Sequence, residues 1–255
     1  MSGISGLPPI PMYELYSKNE TQYADAAAKS NPSTALAVQY LRSQAPNLTT
    51  PTALLQNYRA LQVVLGAFNM SGMINEQGLL KQLMTQNPAA PNSLVQQLAN
   101  PTYLNFAKVM ANWNPPPLTN PQTLANITQQ YETNQFEASA DQQSPGMQAA
   151  LYFTRTIGAV TTIPEILADP TLLNVAETAL GLPVQFGLLN YNQQVNILSK
   201  SLDLTKFQNP SYVNQFVQKF LVLNQENPQT PAQPATVSDL IGSGASGGGI
   251  LSLFA

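Results

Sequence analysis

The chain has 255 residues, 44% of them hydrophobic and only 9% charged, with no cysteine and no histidine. Those absences exclude thiol nucleophiles, Ser-His-Asp triads, His-ligated haem, Cys/His zinc sites and disulfides. Ten Lys+Arg against thirteen Asp+Glu give a formal charge of -3, with no basic patch, which argues against a nucleic-acid surface.

Residues 1–19 carry Gly, Pro and Ser and read as a flexible N-terminal segment. They show neither a basic n-region nor a continuous apolar h-region, so no cleavable signal peptide is expected. Residues 20–113 read as a first helical unit and 114–132 as a linker plus the start of a connecting helix near Asn120. Residues 133–226 read as a second helical unit, and 227–255 as a Pro/Gly-rich tail with an apolar C-terminus. The most apolar window, 60–68, is about half the length that spans a bilayer, so no membrane span is expected.

The prolines follow capping residues: Asn31-Pro32, Thr50-Pro51, Asn100-Pro101, Asn120-Pro121, Ser144-Pro145, Asp169-Pro170 and Asn209-Pro210. A short polar side chain at N-cap accepts from an orphaned N–H, and proline at N1 has no N–H to waste. These dipeptides therefore predict helix starts. Between them the apolar residues keep helical spacing: Leu36, Tyr40 and Leu41; Leu54 to Phe68; Tyr103, Phe106, Val109, Met110 and Trp113; Tyr212, Val213, Phe216, Phe220 and Leu223. Strand alternation is absent. The fold class predicted is all-α: two tandem duplicated multi-helix units joined by a long helix, with disordered N- and C-terminal tails.

The duplication rests on three internal matches. Residues 31–42 lie over 144–155, pairing Tyr40 with Phe153 and Arg42 with Arg155. Residues 61–70 lie over 173–182, and NPTYLNFAKVM (100–110) lies over NPSYVNQFVQKF (209–220).

Few residues suggest chemistry. Glu137 and Asp141 stand four apart on the connecting helix, which would suit a carboxylate pair for hydrolysis or a metal. Without accompanying carboxylates they read better as a solvated helix surface, and Glu132 lies off their face. Glu165 and Asp169 are also four apart, but Asp169 precedes Pro170 and reads as an N-cap, with Asn57 as its approximate counterpart in the first unit. Arg42 and Arg155 could form an anion site, yet near a helix C-terminus they are expected to bond carbonyls of their own unit. GSGASGGG is followed by Ile250 rather than Lys-Ser/Thr, so it is no phosphate-binding loop. Trp113 is expected to serve packing. Beyond the glycine run, Ile250, Leu251, Leu253 and Phe254 have the spacing of a short docking peptide for a partner's groove, the competing reading being a frayed or folded-back terminus. No catalytic residue, metal ligand or cofactor is assigned.

The motifs M-x-x-A-L-Y-F-x-R (Met147–Arg155), I-L-A-D-P-x-L-L-x-V (Ile166–Val175) and A-L-G-L-P (Ala179–Pro183) resemble the bacterial family called domain of unknown function 1217. The resemblance extends more loosely over roughly 20–226. It implies an all-helical fold and association with flagellar gene clusters of alphaproteobacteria, with no established activity and no functional residues. The expected function is therefore a non-enzymatic helical interaction protein of flagellum assembly or structure. Its expected partners are proteins, of the flagellum on this resemblance, and its location is cytoplasmic or exported to the flagellum. The alternatives are a cytoplasmic adaptor or chaperone for an exported protein, and a carboxylate-dependent hydrolase.

Overall fold

A computed structural model of the chain describes residues 6–98 and 100–226, and it contains fourteen α-helices with no strand among the described residues. The helices are α1 (Pro9–Lys18), α2 (Glu20–Ser30), α3 (Pro32–Gln44), α4 (Pro51–Gln56), α5 (Tyr58–Ala67), α6 (Gln77–Thr85) and α7 (Leu94–Leu98). They continue as α8 (Pro101–Met110), α9 (Pro121–Gln143), α10 (Met147–Thr156), α11 (Ile163–Ala168), α12 (Pro170–Leu180), α13 (Tyr191–Ser201) and α14 (Pro210–Glu226).

Six of the seven proline-preceding residues cap as predicted. Asn31, Thr50, Asn100, Asn120, Asp169 and Asn209 each accept from a backbone N–H one turn ahead, at 2.9–3.4 Å. Ser144 is the exception. The chain turns at Gly146 with φ 92°, where a side chain would be strained, and α10 begins only at Met147. Its first N–H groups are taken instead by Asp141 Oδ1, from Gly146 N at 2.9 Å and Gln148 N at 3.1 Å. Asp141 is thus a helix cap reaching over from α9.

Apolar residues collect into two cores. One holds Val38, Leu41, Leu54, Leu61, Leu65, Leu80, Leu83, Phe106 and Met110; the other holds Phe153, Ile166, Val175, Leu198, Phe216 and Phe220. The 23-residue α9 runs between them, about 34 Å long at 1.5 Å per residue. Its Ile127 and Tyr131 enter the first core, and its Phe136 and Ala140 the second.

Two expectations are corrected here. The segment 1–19 is not a flexible leader over its described length. Residues 9–18 form α1, and its Met12, Tyr13 and Tyr16 are buried in the second core together with Ala24 of α2. Their i, i+1, i+4 spacing is a helical stripe, which the surrounding Gly and Pro residues disguise. Leu36, grouped by helical spacing with Tyr40 and Leu41, is 58% exposed; the stripe of α3 that packs is Thr34, Val38 and Leu41, continuing to Ala45.

The run from α10 to α12 follows the element order of the run from α3 to α5, and it does so in one register. Ala45 and Ile157 open equivalent 3-10 turns, Thr50 and Thr162 precede α4 and α11, and Asn57 and Asp169 cap α5 and α12, each pair 112 residues apart. Tyr40 donates to Asn57 Oδ1 at 3.2 Å as Tyr152 donates to Asp169 Oδ2 at 2.6 Å. In this register Tyr40 corresponds to Tyr152 and Leu41 to Phe153, so the pairing of Tyr40 with Phe153 is off by one. Arg155 accordingly corresponds to Ser43 rather than to Arg42.

Helix α5 packs tightly against α9 at Gly66. A Cβ there would lie 2.8 Å from Tyr131 Cδ2 and Cε2. Asn134 Nδ2, one turn on, donates to the Gly66 and Ala67 carbonyls at 2.7 and 3.0 Å, closing the end of α5. Gly66→Ala is therefore expected to destabilise by about 1–3 kcal/mol, read as a lower urea midpoint at unchanged slope.

Candidate functional site: a buried carboxyl pair and an exposed apolar ridge

Of the residues singled out for chemistry, the structure brings together Glu137 and Arg155 and gives the others separate partners. Glu137 is fully buried, contrary to the expected solvated face. Asp141 has different partners, the N–H groups at the start of α10, so the two carboxyls are engaged separately. Glu165 accepts from Thr161 N and Thr162 N at the start of α11, another cap. Trp113 packs on the first core, and its Nε1 donates to the Met84 carbonyl at 3.0 Å. Ile250, Leu251, Leu253 and Phe254 lie outside the described residues.

Both arginines leave their own unit's carbonyls and reach α9, which corrects the expected C-terminal role. Arg42 Nη2 donates to Thr128 Oγ1 at 3.1 Å. Arg155 Nη2 donates to Glu137 Oε1 at 2.6 Å and to Asn134 Oδ1 at 3.2 Å, and its Nε donates to the same Glu137 oxygen at 3.3 Å. Glu20, the first residue of α2, stands on the other side, with Oε2 3.7 Å from Arg155 Nε. The cluster thus ties α2, α9 and α10 together, and through Asn134 it reaches the end of α5. Beside it Tyr16, Tyr23 and Phe136 pack edge to face and stacked, with centroids 4.9–6.2 Å apart, joining α1 and α2 to α9.

A 2.6 Å ion pair ordinarily holds a carboxyl low. At Glu137 burial outweighs it, and with the opposing Arg155 and the adjacent Glu20 the result is a group pushed up to about 8. Glu20 is raised too, by burial, with Arg155 acting against the shift. Burial pulls Arg155 down, but Glu137 and Glu20 more than restore it and keep the guanidinium charged. Tyr152, whose ring lies 5.4 Å from the Arg155 guanidinium carbon, is raised by burial and by the Asp169 carboxylate it bonds. This cluster was not legible as such, because its members come from positions 20, 137 and 155 with no shared spacing.

A second feature lies on the surface. The turn Val184–Leu188 and the start of α13 expose Val184 at 76%, Leu188 at 86% and Tyr191 at 56%. The turn is held in place rather than loose: Phe186 is buried beneath it, and Gln194 Nε2 donates to the Phe186 and Leu189 carbonyls. No charged residue occurs between Glu177 and Lys200. A sequence signal existed: Pro183 and Gly187 interrupt an apolar run, so its side chains cannot all face one core. Among the described residues no group of three or more Asp or Glu could hold a metal ion, and no helix is long and apolar enough to cross a membrane.

Residues 67–213 match the family described as protein of unknown function (DUF1217). The chain belongs to that family. No curated protein matches it. The crystal structure of a protein from Agrobacterium tumefaciens, solved as a structural genomics target, is similar over 89% of this chain and 100% of its own, with a TM-score of 0.76 and 19% identity. At that identity the likeness concerns the fold: the DUF1217 helices recur while the side chains have largely changed.

Proposed function

We propose that the protein is a non-enzymatic helical interaction protein associated with assembly or structure of the bacterial flagellum. The observation that carries the reading is the ridge of Val184, Leu188 and Tyr191. Three large apolar side chains on an ordered, uncharged turn form a surface of the kind that partner proteins cover. The family resemblance, with its implied place in flagellar gene clusters, supplies the flagellar part, and a cysteine-free chain is typical of flagellar export substrates. The common register of α3–α5 and α10–α12 supports a tandem duplication.

The test is a tagged chain in motile cells, beside Val184→Ser/Leu188→Ser/Tyr191→Ser, with flagellar export intact or blocked. The wild-type chain is expected in the medium or flagellar fraction, and to vanish from both when export is blocked. The triple variant is expected to keep its melting temperature but to fall at least tenfold in that fraction. Retention in the cytoplasm together with an exported protein would instead establish an adaptor or chaperone. Equal recovery of variant and wild type would remove the ridge from the account.

A further inference from the structure

Glu20 Oε1 and Glu137 Oε2 are both buried from solvent and are left without a hydrogen-bond partner. Arg155 does not relieve them. Both of its donors to Glu137 go to Oε1, and its approach to Glu20 is to Oε2. Yet the two carboxyl groups converge on one nitrogen: Arg155 Nε lies 3.3 Å from Glu137 Oε1 and 3.7 Å from Glu20 Oε2, which makes the two side chains neighbours. Two carboxylates are acceptors only and cannot bond each other; one proton makes one of them a donor and satisfies both orphaned oxygens at once. It also brings the net charge of Glu20, Glu137 and Arg155 from -1 to zero, which a buried site favours.

We propose that Glu20 and Glu137 form a proton-binding site, and that a single proton held between them latches α2 to α9 and α10. Glu20 lines an open groove of about 800 Å³ with Lys18, Asn19, Gln22, Asp25 and Lys29, so its side chain is the member of the pair that borders solvent. When the proton leaves, two buried carboxylates share one arginine, and the repulsion falls on Glu20, which sits at the end of its helix and has 17% of its side chain exposed. The edge of α2 is the part that yields.

The groups facing the pair are few. From α10 come Arg155 and Tyr152, and from α1 comes Tyr13, whose hydroxyl is raised first by burial and also by the charge of Glu20. From α5 come only the two carbonyls bonded by Asn134. Arg42 of α3 is engaged with Thr128, farther along α9. Glu132, on α9 itself, is raised by burial and lies in the field of Arg42, Asp25 and Lys29. A carboxyl whose folded value is raised binds a proton that the unfolded chain has already lost at neutral pH. Its contribution is fully present below the ordinary carboxyl range and is lost as pH rises through neutrality.

The test uses the full chain, with Glu137→Gln and Glu20→Gln, each of which replaces the shared proton by a permanent amide donor. Wild-type melting temperature is expected to fall between pH 5.5 and pH 8.5, with amide exchange in α2, corrected for intrinsic pH dependence, speeding at least tenfold. Both variants are expected to flatten the two profiles. Carbon-13 carboxyl shifts of the wild type are expected to show one glutamate signal titrating near neutrality, absent from Glu137→Gln. A flat wild-type melting profile, or a Glu137→Gln profile as steep as wild type, overturns the site. If neither variant folds, the wild-type carboxyl titration decides alone, and all glutamate signals titrating below pH 5.5 would overturn it.

Discussion

Arg155→Met is expected to destabilise the protein by on the order of 3 kcal/mol at pH 8, and by distinctly less at pH 5.5. The substitution keeps most of the aliphatic packing of the side chain, so what is lost is charge and five donors. Glu137 would remain fully buried with no counter-ion, and Asn134 Oδ1 would lose its donor. Removing one member of a buried ion pair typically costs about 3–5 kcal/mol; Arg155 retains 26% of its side-chain exposure, which places it at the lower end. Protonation relieves the uncompensated charge, which gives the sign of the pH effect: acid protects the variant and base exposes it. Chemical denaturation at the two pH values measures both quantities. Adding Glu137→Leu should recover much of the loss, since an apolar side chain leaves no charge behind. A variant as stable as wild type at pH 8 would show that Glu137 is already neutral without Arg155.

Deleting residues 1–18 is expected to have an effect at least as large. The deletion removes Met12, Tyr13 and Tyr16 from the second core. Losing a large buried side chain costs roughly 2–5 kcal/mol, and three together rival the 5–15 kcal/mol that stabilises a typical domain. Two hydrogen bonds also go: the Tyr13 hydroxyl lies 2.8 Å from Thr154 Oγ1 and donates to Asn214 Oδ1 at 2.9 Å, linking α1 to α10 and α14. The result should be unequal between the halves. Trp113, the single tryptophan, packs on the first core, so its fluorescence transition in urea should move less than the helical signal by circular dichroism. Coincident transitions at the wild-type midpoint would show that α1 is dispensable to the second core. Tyr13→Phe isolates the hydroxyl and is worth about 1 kcal/mol.

Much of the fold was legible because its signals are local. Asn31, Asn100 or Asp169 can cap only the helix that follows within three residues, so the dipeptide alone places the start. The pairing of 61–70 with 173–182 agrees with the structural register, while that of 31–42 with 144–155 is off by one because proline was aligned with proline. Pro32 opens α3 at N1, whereas Pro145 stands two residues before α10. Identity of residue misled there, and only helix bounds and the Tyr–cap bonds corrected it.

The candidate site was far less legible. Glu137 and Asp141 share a face of α9, yet one is sealed against Arg155 while the other caps α10. Spacing along a helix states which side chains are neighbours, not which element will cover them. The ridge at Val184, Leu188 and Tyr191 was hidden for a related reason, since an apolar residue in a turn reads the same whether or not a neighbour buries it.

What the amino-acid order alone decided is therefore the all-α class, the helix starts and the long connecting helix, all set by interactions within a few residues. Tertiary structure decided the rest: that α1 belongs to the second core, that both arginines turn to α9, and that Glu20 meets Glu137. Those outcomes depend on contacts between different helices, among them bonds spanning 18 to 141 positions of the chain, where burial converts ordinary surface chemistry into a charge that must be paired or neutralised.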